Sequence, residues 1–397
     1  MTDSRTNEAI VYMDRFAQRT GLTSNQNPKR YLWTDAFAVC NYLGLARATG
    51  DRRYNELALK LVKQIHHTLG RHRDDDARTG WLSGLGESEG ERHPTLGGLR
   101  IGKELPERGP DEPFDSRLEW ERDGQYFHYL GKWMHALDQV TRATGLPRYN
   151  LWARELAGAA FEAFSYLPPS GHEPRRMVWK MSIDLSRAQV PSMGKHDPLD
   201  GYITSLQLAA TAAALPRADS GPRLTHETSE YARMIRDGDW STGDPLGLGG
   251  LLIDAYRVQQ LQRLGAQPES HMIENLLDAA ITGLRYYARS GELQQPARYR
   301  LAFRELGLAI GLHGVERMQR ALDDPVQRDN STNPNVHQQV NALMQYADLR
   351  DEIERFWLYP EHHDTWTEHI DINEVMLATS LAPDGLLVLL PVGDHKE

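Results

Sequence analysis

The chain has 397 residues, with 45 Lys and Arg against 55 Asp and Glu, a formal net charge of −10, and 40% apolar residues. That acidic balance lacks the clustered positive charge of a nucleic-acid footprint, and no run of eighteen apolar residues offers a membrane span. One cysteine, Cys40, excludes an internal disulfide and makes a thiolate zinc site implausible. The expectation is a cytoplasmic globular protein with no metal and no cofactor.

In chain order, residues 6–19 have the spacing of a one-faced amphipathic helix, whereas residues 36–46 are apolar nearly all round, as in a helix buried on every side. The segment Leu45–Asn55 then recurs at an offset of 95 residues as Val140–Asn150, with Arg-Ala-Thr-Gly and Arg-Tyr-Asn in both copies. In each copy a glycine, Gly50 or Gly145, sits where a helix needs a left-handed C-cap. The apolar residues that follow keep the i, i+3, i+4, i+7 pattern, so the repeating unit is a helical hairpin.

The alternation continues along the chain. Buried-type helices are expected near 36–46, 125–144, 199–215, 246–264, 300–318 and 371–382, and one-faced helices near 6–19, 51–69, 147–167, 224–237, 270–290 and 335–358. Strand-like alternation is found only near Leu386–Pro391. Turns from an apolar helix to the next one-faced helix are short. The return connections (70–122, 168–198, 238–245, 291–298 and 359–370) are long, and long loops in a compact domain usually carry function. Irregular spacing argues against an open solenoid. The favoured reading is all-α: one (α/α)6 toroid over residues 1–397, closed by residues 6–19 packing against residues 371–382.

On the Arg-Ala-Thr-Gly-x-x-Arg-Tyr-Asn hairpins, and on Trp33-Thr34-Asp35 and Asp123-Gly124-Gln125-Tyr126, the chain resembles the six-hairpin glycosidase-like superfamily. The resemblance implies a carbohydrate-active site in a funnel at the N-terminal ends of the inner helices, without fixing the chemistry.

Six tryptophans fall in the connections: Trp33, Trp81, Trp120, Trp179, Trp240 and Trp366. Aromatic faces beside carboxylates suit a sugar, which offers C–H faces and hydroxyls together. Glycosidic hydrolysis needs two carboxyls of different protonation. Glu119 and Glu121, flanking Trp120, are the candidate acids, because an apolar wall raises a carboxyl pKa. Asp35 and Glu368 are the candidate bases, and inversion across the funnel is the expected course. Trp33, Trp81, Trp120, Tyr126, His128, Asp200, Trp240, Arg304, Trp366 and His369 are the candidate substrate contacts. Asp197-Pro198 and Asp244-Pro245 read as a helix N-cap followed by Pro.

Histidines on the inner helices leave a rival open, a sugar epimerase of the N-acylglucosamine 2-epimerase type with His as acid and base. A non-catalytic helical scaffold is the other alternative. His362-His363-Asp364 has metal-site composition without metal-site spacing, and Asn330-Ser331-Thr332 matches a glycosylation pattern that has no meaning without secretion. The expected partner is a small carbohydrate; no nucleic acid or membrane is expected, and an oligomer is possible.

Overall fold

The computed structural model describes residues 3–392 apart from 170, 172–173, 193, 216–220, 237, 325–332 and 360–362. Asn330–Thr332 and His362 lie outside the described residues. The chain is mostly helical: α1 (Ser4–Arg19), α2 (Leu32–Thr49), α3 (Arg53–Leu69), α4 (Glu87–Arg92), α5 (Ser116–Glu121), α6 (Phe127–Thr144), α7 (Pro147–Phe164), α8 (Asp197–Ala214) and α9 (Thr225–Ile235). There follow α10 (Pro245–Arg263), α11 (Met272–Ser290), α12 (Ala302–Asp323), α13 (Pro334–Met344), α14 (Asp348–Trp357), α15 (His363–Glu368), α16 (Ile370–Leu381) and α17 (Asp384–Leu387).

All six apolar segments are helices (α2, α6, α8, α10, α12 and α16), and so are the one-faced segments. The last of these is divided into α13 and α14 by a turn at residues 345–347. The strand-like alternation near Leu386–Pro391 does not make a strand: α17 takes its first residues, and Val388 is the C-cap, with its N–H donating to the Asp384 carbonyl at 3.1 Å. Five short strands lie instead in the loops: β1 (Gln125–Tyr126), β2 (Ser165–Tyr166), β3 (Arg176–Met177), β4 (Lys180–Met181) and β5 (Ala188–Val190), in a β1-β4-β5 antiparallel sheet and a β2-β3 pair.

The sequence repeat is also a structural one. Thr49 Oγ1 donates to the Leu45 carbonyl at 2.7 Å, and Thr144 Oγ1 to the Val140 carbonyl at 2.7 Å. Each threonine oxygen also accepts the N–H two residues on, from Asp51 and from Leu146. Gly50 and Gly145 adopt φ of 73° and 69°, the left-handed conformation that glycine reaches without strain. Arg53 and Arg148 each stack over the following tyrosine, at 4.7 and 4.8 Å, and donate to its hydroxyl.

By their internal contacts the residues form two compact units: a C-terminal unit of residues 1–16, 44–51 and 239–389, and an N-terminal unit of residues 17–43, 52–238 and 390–397. Within the N-terminal unit, α6 lies along α7 and against α8. Its core includes fully buried Tyr42, Phe127, Trp133 and Phe164. A polar hub, Asp138, is also fully buried and accepts from Arg142 Nε (2.8 Å), Gln207 Nε2 (2.7 Å), Thr211 Oγ1 (3.0 Å) and Asn150 Nδ2 (3.1 Å). Four donors satisfy a carboxylate that would otherwise be costly to bury.

Within the C-terminal unit, α1 meets α16. Arg5 Nη2 donates to the Ser380 carbonyl at 3.3 Å, and Arg15 approaches Glu374 at 4.0 Å. Helices α10 and α12 pack backbone to backbone, because a Cβ on Gly249 would lie 2.0 Å from the Gly307 carbonyl oxygen. Gly249→Ala is therefore expected to destabilise the protein by about 1–3 kcal/mol through overpacking, read as a lower denaturation midpoint with unchanged slope. An unchanged midpoint would mean that the two helices separate freely.

Candidate functional site

The N-terminal end of α6 carries a cluster of polar and aromatic side chains, and the preceding strand holds it in place. Gln125 in β1 is fully buried; its Oε1 accepts the Leu99 N–H at 2.8 Å, and its Nε2 donates to the carbonyls of Gly97 (3.0 Å) and Ile183 (2.7 Å). Asp123, also fully buried, accepts from Arg100 at 2.6 Å and from the N–H groups of Gly102 and Gly124 at 3.0 Å. The Asp-Gly-Gln-Tyr segment thus ties two long loops to the start of α6.

Beyond that anchor, His128 joins a cluster of aromatic rings in which Tyr126 and Trp179 are themselves 5.8 Å apart. Tyr126 stacks on it at 5.3 Å and Trp179 at 6.0 Å, while Tyr129 meets it edge-on at 4.7 Å. Trp120 packs edge-on against Trp179 at 4.6 Å and is 47% exposed, which leaves it a free face. The Tyr31 and Tyr129 hydroxyls are 2.6 Å apart. Trp179 Nε1 donates to His128 Nδ1 at 3.2 Å. An indole N–H can only donate, so Nδ1 holds the lone pair and the neutral ring carries its proton on Nε2. Burial lowers the His128 pKa to about 4, against an opposing pull from Asp200. The imidazole is therefore neutral at pH 7, with a donor on Nε2.

One turn further along α6, Lys132 binds both Asp200 oxygens, at 3.1 and 3.2 Å. Asp197 is one turn before Asp200 at the start of α8. It does not cap the helix as expected: the N-cap is His196, without a side-chain cap bond. Its Oδ2 is buried with no hydrogen-bond partner, and a Cβ on Gly194 would lie 2.3 Å away. Burial, then the charge of Asp200, pushes the Asp197 pKa up to about 7. Asp244 does cap its helix, accepting the Gly247 N–H at 2.9 Å ahead of Pro245.

The expected carboxylates fare unequally. Glu119 does not sit against an apolar wall: it is buried between Arg108 Nε (2.9 Å) and Lys180 Nζ (3.1 Å), and that ammonium also donates to the carbonyls of Glu119 and Arg122. Asp35 is 1% exposed and occupied by Arg30 Nη1 (3.2 Å) and the Tyr31 N–H (2.8 Å), an arrangement that fixes the start of α2 and leaves no oxygen facing solvent for base work. Glu121 is exposed, and its charge acts on Tyr31, Tyr126 and Lys103.

Of the expected contacts, Trp120, Tyr126 and His128 share one cluster, and the charge of Asp200 reaches His128. Trp33 instead packs on Phe37 at 4.4 Å in the core, and Trp240 is also buried. Trp81 is buried beneath Arg71 at 4.4 Å, beside a groove of about 500 Å3 that Tyr149 and Trp152 also line. In the C-terminal unit, Arg304 pairs with Asp244 at 2.5 Å, Trp366 stacks on Trp357 at 6.0 Å, His369 meets Phe303 edge-on at 6.2 Å, and Glu368 is exposed. Tyr31, Tyr129 and Lys132 were not expected in the cluster. The position of Lys132 four residues after His128, on the same face of α6, is the one signal that could have included it.

Among the described residues no group of three or more His, Cys, Asp or Glu side chains could hold a metal ion, and no helix is long and apolar enough to cross a membrane. No family model and no curated protein matches the sequence. The chain is similar in structure to a sugar epimerase from a ruminal bacterium, solved by crystallography, with a TM-score of 0.52 and 9% identity over 95% of this chain and 97% of that one. The likeness bears on fold alone. With the six apolar and six one-faced segments, it gives the fold as the all-α toroidal class, (α/α)6.

Proposed function

We propose that the protein is a sugar epimerase or isomerase whose substrate binds on the aromatic cluster around His128. The observation that carries this reading is the neutral imidazole with its proton on Nε2, held in an aromatic cluster within reach of the charge of the Asp200–Lys132 pair. Epimerisation next to a carbonyl removes a proton from carbon and returns it to the opposite face. The intermediate gathers negative charge on the former carbonyl oxygen, and a fixed neutral donor stabilises that charge without giving up its own proton. In this scheme His128 Nε2–H donates to that oxygen. Asp200, oriented by Lys132, takes the proton and gives it back: to the neighbouring carbon in isomerisation, or to the other face of the same carbon once the planar intermediate has turned over in epimerisation. The structural likeness to a sugar epimerase supports the same direction.

The glycosidase reading keeps one supporting observation: exposed Glu121 beside Trp120. It has lost two of its four carboxyls to ion pairs, Asp35 to Arg30 and Glu119 to Arg108 and Lys180.

A panel of free hexoses and N-acylhexosamines incubated with the protein in D2O tests the proposal. Deuterium entering at the carbon beside the carbonyl, with formation of the epimer or ketose, is the expected result. Reducing sugar released from glycosides, without deuterium exchange, would favour the hydrolase. Trp120→Ala should raise KM by about ten- to a hundredfold, the scale of losing a large apolar contact, with little change in Tm because the ring is half exposed. Unchanged KM would remove Trp120 from the sugar site.

A further inference from the structure

The C-terminal unit holds a cavity of about 610 Å3 where the C-terminal ends of α2, α12 and α16 meet the first turn of α1. Five arginines line it (Arg5, Arg47, Arg317, Arg320 and Arg350) against three acids, Asp3, Glu316 and Asp384. Two further acids outside the lining, Glu354 and Asp351, pair with Arg5 and Arg350, so the charge presented to the cavity is mainly that of Arg47, Arg317 and Arg320.

The arginines differ in how firmly they are held. Arg5 is committed, with both terminal nitrogens 2.8 Å from the oxygens of buried Glu354. Arg350 is shared between Glu316 and Asp351. Arg317 binds Asp384 and donates to the His313 carbonyl at 3.0 Å. Two others are loosely engaged: Arg47 comes no nearer to Asp384 than 3.5 Å, and Arg320, 72% exposed, no nearer to Glu316 than 3.6 Å. Asp3 is turned to other work, accepting the Thr6 N–H at 2.7 Å as the cap of α1. Asp384, whose side chain is 52% exposed, is thus a carboxylate of the chain itself lying between Arg47 and Arg317.

We propose that this cavity binds the phosphoryl group of a small phosphomonoester. Guanidinium forks match a phosphate bidentately, and a dianion satisfies two arginines where Asp384 supplies a single charge. The volume lies within the range of small-molecule sites and exceeds what an inorganic ion fills, so a polar organic group accompanies the phosphate. A sugar phosphate has that chemistry. The site is independent of the epimerase reading, since none of its residues belongs to the His128 cluster.

Calorimetric titration of the full chain with glucose 6-phosphate, inorganic phosphate and glucose, at constant ionic strength, tests the assignment. Saturable binding of glucose 6-phosphate is expected, with affinity lowered at least tenfold in the Arg47→Gln/Arg320→Gln double variant. The control Arg233→Gln, an exposed arginine of the N-terminal unit, should leave it unchanged. Both substituted side chains of the double variant are solvent-accessible, so its Tm should stay near that of the parent. Absence of saturable binding by either phosphate would overturn the proposal. So would full affinity in the double variant, or glucose binding as tightly as its phosphate.

Discussion

His128→Gln is expected to lower kcat for sugar interconversion by about 10²–10⁴-fold, with a much smaller change in KM. The amide keeps a hydrogen-bond donor but not the ring that packs with Tyr126 and Trp179. Its donor therefore loses the fixed position that makes it effective in the transition state. The pH profile carries a second sign. An imidazole whose pKa has fallen to about 4 does not titrate between pH 5 and 8, so the wild-type profile should show no histidine limb near 6.5. Trp179→Phe removes the indole donor on Nδ1 while keeping an aromatic face; because burial is the main cause of the low pKa, no such limb should appear in it either. A wild-type profile governed by a group near 6.5, together with a His128→Gln enzyme of unchanged kcat, would remove His128 from the chemistry.

The surroundings of His128 were more legible in the sequence than those of Glu119, because of where each finds its partners. The partners of His128 are mostly its neighbours along the chain: Tyr126 lies two residues before it, Tyr129 one after and Lys132 four after. Lys132 is one helical turn on and the two tyrosines adjoin His128 in sequence, although its hydrogen-bond donor Trp179 comes from a loop 51 residues away. Glu119 is defined by Arg108 and Lys180, eleven and 61 residues away, and Lys180 arrives on a two-residue strand too short to leave any period in the sequence. With Trp120 beside it, Glu119 looks like a desolvated acid; with two cations brought by the loops, it is a structural ion pair. The tryptophans divide on the same ground. Trp33 faces Phe37, four residues on, as a core helix residue does. Trp120 keeps an open face because Trp179, from a loop 59 residues later in number, supports only its other side.

The fold was more legible than the site because its signal is local and repeated. The Thr-Gly turns return the same hydrogen bonds 95 residues apart, and the one-faced helical segments carry their period in the sequence. The small helices α4 and α5 and the strands in the long loops have no such period. Their places are set by buried side chains such as Gln125 and Asp123, whose partners come from other loops.

Asp197 should make the stability of the protein depend on pH in the direction opposite to that of a salt-bridged carboxylate. Its folded pKa is raised to about 7 from the usual 3.8, so the folded state binds its proton more tightly than the unfolded chain does. The contribution is fully present below pH 3.8. Between there and pH 7 the unfolded chain releases the proton and the folded chain does not, so stability declines by about 1.4 kcal/mol per pH unit, about 4 kcal/mol in all. Above pH 7 both states are ionised and the decline stops. Asp197→Asn carries no proton to lose and stays neutral at every pH. Measured against wild type, the variant should be close to neutral at pH 4 and more stable by up to about 4 kcal/mol at pH 8, with the change spread over the interval between. Burial, with the unpartnered Oδ2 and the charge of Asp200, is the structural reason: it outweighs what the Gly194 backbone and Lys132 give back to the charge. Denaturation curves of the two proteins that run parallel from pH 4 to 8 would show that Asp197 titrates as an ordinary surface carboxylate.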